Sequence, residues 1–122
     1  MILADTSVWV DHLRSRDKEL HRLLGQGQIL IHPFVIAELA LGSLRDRAKT
    51  LALLELLPQA KLAQLSEVRR LIEGRALYGL GVAVVDAHLI ASVLIDAPAL
   101  LWTRDKRLRQ VAENLSIHAS LP

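Results

Sequence analysis

The chain has 122 residues and a formal net charge of +2, is 52% hydrophobic but only 3% aromatic, and contains no cysteine. A single domain with one core, spanning residues 1–122, is what this length supports, and the missing cysteine excludes a disulfide framework, a cysteine nucleophile and a thiolate zinc site. An interior built from Leu, Ile, Val and Ala points to helices on a buried sheet, an α/β fold rather than a β-sandwich.

The charge excess is too small to demand a polyanionic partner. Its make-up says more, because eleven of the fifteen cations are Arg, whose planar fork matches phosphate oxygens. They occur in runs such as Arg14, Arg16 and Lys18, or Arg104, Lys106, Arg107 and Arg109, which solvated helix faces explain equally well. The N-terminus reaches Asp5 with no basic region and long apolar stretch, so it does not read as a secretory signal. No apolar run approaches the roughly 20 residues that span a bilayer. The expectation is a cytoplasmic protein with no membrane association.

In chain order, Met1 to Ala4 reads as a buried strand ending at Asp5. Helical pattern follows through Trp9, Val10 and Leu13, then through Leu20, Leu23 and Leu24 to the breakers Gly25 and Gly27. Ile29 to Ile31 is a second strand, and Pro33 opens a helix that runs to Gly42. Helices are expected from Leu44 to Leu57 and from Ser66, as N-cap, to Tyr78. After Gly79 and Gly81, Asp86 stands at or near the start of a helix with Leu89, Ile90, Val93 and Leu94 on one face. Ala99 to Trp102 is a third strand, Lys106 to Asn114 a last helix, and Leu115 to His118 a short final strand. Strands alternating with helices of this length argue for a central parallel sheet.

Ligands of such a sheet gather beyond the carboxyl ends of its strands. Asp5, Asp105 and Asp86 occupy that kind of place, and Glu38 lies about one and a half turns past Pro33, where it can face the same end. Singly, each Asp reads as a helix N-cap and Glu38 as an exposed helix position. Together they are harder to explain, since Glu38 and Asp86 interrupt apolar stretches where a carboxylate is costly unless compensated. The usual compensation for clustered carboxylates is a hard divalent cation, Mg²⁺ or Mn²⁺. Such an ion activates water and stabilises charge on a phosphoryl group, so phosphodiester hydrolysis follows.

At these residues the sequence resembles the PIN-domain family, and most closely its VapC-like members, the toxin ribonucleases of type II toxin-antitoxin systems. Four segments carry the likeness in family order: LADTSVWV from Leu3, FVIAELALG from Phe34, GVAVVDAHLIAS from Gly81 and LLWTRDKRL from Leu100. Glu38 follows Asp5 by 33 positions, Asp86 follows Glu38 by 48 and Asp105 follows Asp86 by 19, typical of the small members. The resemblance implies a three-layer α/β/α fold and a metal-dependent endoribonuclease. Asp5, Asp86 and Asp105 would then ligate the metal directly or through water, Glu38 would complete the pocket, and Thr6 and Thr103 would support it by hydrogen bonding. It further implies an RNA substrate, a homodimer and a cognate antitoxin whose tail occupies the active-site groove.

Two residues depart from the pattern. Trp102 replaces the usual aliphatic residue, and His88 stands where many relatives carry one. A lone His on an early helix turn is more often structural than catalytic, and the other four histidines show no ligand spacing. A haloacid-dehalogenase phosphatase needs a second Asp where Ser7 stands, and a response-regulator receiver needs an Asp that Leu51 to Lys61 does not contain. A non-catalytic PIN module, the remaining alternative, predicts a broken acidic set. The Phe34 to Leu57 stretch holds more apolar residues than one helix-pair face needs, which is the expectation of burial between chains.

Overall fold

A computed structural model describes residues 1–122. Three parallel strands form the sheet: β1 (Ile2–Ala4) lies in the middle, β2 (Ile29–Leu30) on one side and β3 (Leu100–Trp102) on the other. Ile2 and Leu3 pair with Ile29 and Leu30, while Ile2, Leu3 and Ala4 pair with Leu100, Leu101 and Trp102. Single parallel bridges extend both edges, Ile31 to Gln59 and Leu101 to His118. Leu3, Ala4, Ile29, Leu30, Leu101 and Trp102 are all buried, as expected of strands covered on both faces.

Seven helices supply that cover: α1 (Thr6–Arg14), α2 (Lys18–Gly25), α3 (Pro33–Ala40), α4 (Arg47–Glu55), α5 (Leu65–Gly74), α6 (Val84–Ile95) and α7 (Lys106–Asn114). The chain steps outward from β1 to β2 and on to Gln59, then returns across the sheet to β3. Right-handed crossovers in opposite directions place their helices on opposite faces. Helices α1 to α4 therefore cover one face and α5 to α7 the other. The packing agrees, since α1 contacts α2 and α3, α3 contacts α4, and α5 contacts α6, which lies on β3. This is the three-layer α/β/α arrangement.

Several boundaries differ from the sequence expectations. Helix α4 starts at Arg47 rather than Leu44, because Asp46 takes a left-handed conformation (φ 45°) and turns the chain. The Arg47 guanidinium then reaches back to the carbonyls of Ala40 and Gly42, satisfying acceptors that the end of α3 leaves open. Helix α5 is capped at Gln64, not Ser66, with the Gln64 N–H donating to Glu67 at 2.9 Å. It ends four residues before Tyr78, where Ala76 turns left-handed (φ 51°) and the Leu77 N–H bonds back to the Ile72 carbonyl at 2.9 Å. Ser116 closes α7 in the same way, so the expected strand from Leu115 to His118 shrinks to one bridging residue.

Helix α6 is buried from Ala87 through Val93 and not only along the Leu89 face, because it is wedged between β3 and α5. The core joins both faces through the strands, with Trp102, Leu3, Leu101, Ile90 and Leu108 among its fully buried side chains.

Candidate active site

Strands β1 and β3 end side by side, with the Asp5 N–H donating to the Trp102 carbonyl at 2.9 Å. From there α1 departs over one face and α7 over the other, which is the topological switch point where open α/β sheets hold their ligands. The position delivers Asp5 from one strand and Thr103 and Asp105 from its neighbour.

Asp5 is 5% exposed, and its carboxylate accepts three hydrogen bonds. Its Oδ1 takes the Ser7 hydroxyl and the Val8 N–H, and its Oδ2 takes the Thr103 hydroxyl. Burial raises its pKa above the ordinary carboxylate value, while those donors pull it back. Thr103 is fully buried and works in both directions, since its Oγ1 also accepts the Asp105 N–H at 3.1 Å. Asp105 in turn caps α7 by accepting the Leu108 N–H at 2.9 Å. One hydroxyl thus ties two acids separated by a hundred residues of chain.

Glu38 approaches from α3, where it accepts the Thr6 hydroxyl at 2.6 Å, and Thr6 adjoins Asp5. Asp86 sits in the first turn of α6 and accepts the Ala83 N–H at 3.0 Å. Its pKa is raised by burial first, and then by the negative fields of Asp105, Asp5 and Glu38, against the pull of the Ala83 N–H. Those fields bring the fourth acid into the group. No hydrogen bond links Asp86 to the other three, and no three acidic or histidine side chains form a closed metal-ligand set.

Each acid also fills its ordinary structural role: Asp5 and Asp105 are N-caps, Asp86 lies in a first turn and Glu38 is exposed. Capping does not explain why they gather. Nor does ion pairing, because all five salt bridges lie elsewhere, at Arg22–Glu19, Lys61–Asp96, Arg104–Asp11, Arg104–Asp17 and Arg109–Glu113. An all-oxygen, uncompensated donor group of this kind fits a hard divalent cation.

The sequence reading missed two supports. Ser7 holds Asp5 and also accepts the Arg104 N–H at 2.9 Å. The Arg104 side chain forks between Asp11 and Asp17, donates to the Pro122 carbonyl at 2.9 Å and lies over the Trp102 ring at 5.3 Å. Although burial opposes it, the Leu20 N–H and then the Arg104 guanidinium hold Asp17 below the usual carboxylate value. The hydroxyl two positions after Asp5 was a usable signal. The Arg104 pairs, 87 and 93 residues away in sequence, had none. His88 is buried against Phe34, in keeping with the structural reading of that residue.

Residues 2–114 match the family described as PIN domain. Among characterised proteins, the chain is 50% identical over 109 residues to Ribonuclease VapC32 from two strains of Mycobacterium tuberculosis, a match covering 89% of this chain and 88% of that protein. With the parallel three-layer fold and half identity along nearly its whole length, the chain belongs to the PIN-domain family, among its VapC-like members.

Proposed function

We propose that the chain is the toxin of a type II toxin-antitoxin pair, a divalent-metal-dependent endoribonuclease acting in the cytoplasm at Asp5, Glu38, Asp86 and Asp105. What supports this reading is that Thr103 ties Asp5 to Asp105 where β1 and β3 end, Thr6 holds Glu38 beside Asp5, Asp86 lies within range of their fields, and none of the four is ion-paired. Identity to a protein named as a ribonuclease supports the choice of reaction.

Asp5, Asp86 and Asp105 are the residues to hold Mg²⁺ or Mn²⁺. Mg²⁺ commonly binds through one or two carboxylates and keeps several waters, so an open acidic set suits it better than a closed cage. When bound, the ion supplies charge stabilisation at the phosphoryl group and a water that ionises near neutral pH. The chain contributes position. Ser7, Val8 and Thr103 hold Asp5 in one orientation, Thr103 couples Asp105 to it, and Thr6 aims Glu38. Glu38, exposed and oriented, serves to position the attacking water.

A cleft of about 600 Å³ opens beside Glu38, with Val10, Leu13, Leu39, Arg14 and Arg45 on its walls. Its apolar side chains and its two guanidinium groups suit an antitoxin segment bearing apolar and acidic side chains. Leu41 and Leu56, 90% and 81% exposed, support burial of this region in a homodimer.

The test is cleavage of cellular RNA by purified protein with Mg²⁺ or Mn²⁺ and with EDTA, comparing wild type with Asp5→Asn and Asp86→Asn. Discrete fragments that need metal and both acids are expected. Unchanged cleavage by either variant would show the assigned site to be wrong.

A further inference from the structure

Phe34 is the single phenylalanine of a chain poor in aromatics, and it is 38% exposed. It is nonetheless held by two histidines. His32, buried after β2, caps α3 by accepting the Phe34 N–H at 2.9 Å, and its ring meets the Phe34 ring at 5.0 Å with 61° between planes. From α6, His88 meets the same ring at 4.7 Å and 63°. Both are edge-type contacts at distances where aromatic pairs attract. A ring fixed in this way loses little further freedom when something stacks on it.

Its location gives the ring a neighbourhood. Phe34 and Glu38 are four apart on α3 and so share a helix face, while His88 follows Asp86 by two positions on α6. The clamp therefore joins the two helices that bring Glu38 and Asp86 to the acidic site, and Phe34 stands at its rim. A partly exposed aromatic ring one helical turn along α3 from Glu38 offers neither charge nor hydrogen bond to a phosphate. It suits a nucleobase, since unpaired bases stack on protein aromatics, whereas bases inside a duplex have both faces occupied.

We propose that Phe34, clamped by His32 and His88, is a stacking platform for an unpaired base of the RNA next to the scissile phosphodiester. The proposal rests on the ribonuclease reading and refines it.

The experiment compares wild type, Phe34→Leu and Phe34→Trp on a single-stranded oligoribonucleotide and on the same sequence annealed to its complement. Binding is followed in parallel with a 2-aminopurine-labelled strand under EDTA and under Ca²⁺. Phe34→Leu should raise KM for the single strand about tenfold, with the loss in KM rather than kcat, and should abolish the 2-aminopurine quenching. Phe34→Trp should restore both, and duplex should be cleaved poorly by all three. Wild-type KM and quenching in Phe34→Leu would overturn the platform while leaving the nuclease intact. So would an equal loss on single strand and duplex that Phe34→Trp fails to restore, which would mark a packing role. Unchanged RNA kinetics with lost inhibition by an antitoxin peptide would assign the ring to the protein partner instead. If wild type does not cleave, the ribonuclease reading fails, and quenching by wild type but not Phe34→Leu still reports the platform. Absence of both would overturn the two together.

Discussion

Thr103→Val removes one buried hydroxyl at nearly constant volume and isolates what that hydroxyl does. In the wild type it donates to Asp5 and accepts from the Asp105 N–H. A hydrogen bond to a carboxylate contributes roughly 1.5–3 kcal/mol and a neutral one about 0.5–1.5 kcal/mol, so the variant should lose about 2–4 kcal/mol of stability. At this chain length that is a fall in Tm of roughly 10 °C, read by thermal melting. The same donor favours the ionised form of Asp5, whose pKa burial already raises. Its removal should therefore move the acid limb of the kcat/KM profile to higher pH. Thr103→Ser keeps the hydroxyl and should hold the wild-type limb, losing only about 1 kcal/mol for the missing methyl group. If Thr103→Val melted within a degree of wild type and its acid limb did not move, the hydroxyl would not be what holds Asp5.

Asp5 and Asp86 have raised pKa values in the folded chain, so their contribution favours folding at low pH and is lost as pH rises through those values. Added Mg²⁺ or Mn²⁺ should consequently raise Tm at pH 7.5 and much less at pH 4.5, and calorimetry on Asp86→Asn should show a smaller gain. His32 has the opposite sign. Its pKa is lowered to about 4 by burial and by the neighbouring His88, so its contribution is complete above 6.5 and lost as pH falls toward 4. His32→Asn, which retains a capping oxygen, should lose about 3 kcal/mol less than wild type between pH 7 and pH 4 in urea titrations. In double-mutant cycles Arg104 should couple to Asp17, whose side chain is 16% exposed, by more than about 1 kcal/mol, and to the more exposed Asp11 by less than that. Equal couplings would show that burial does not set the difference.

What the sequence determined by itself is local. An apolar run stopping at Asp5, the helical spacing after Asp86 and the short strand before Thr103 are each set by burial periodicity within a few residues, and all three lie where the pattern placed them. The order of the four motifs carried the resemblance to the family, and strand–helix alternation pointed to the parallel sheet because it leaves few topologies. Helix ends were less legible. Ala76 and Ser116 turn left-handed without a glycine, and Asp46 redirects the chain ahead of α4, so each boundary reflects what the next segment packs against. Of the supports of the site, Thr6, Thr103 and the hydroxyl of Ser7 left a signal in the sequence, and the rest left none. Ser7 meets Arg104, Arg104 meets Asp17, and Phe34 meets His88 only because β1, β2 and β3 lie side by side and end at one edge. A carboxylate's identity is written in the chain, but its pKa and its neighbours depend on burial and on charges brought from elsewhere, and tertiary packing alone decides those.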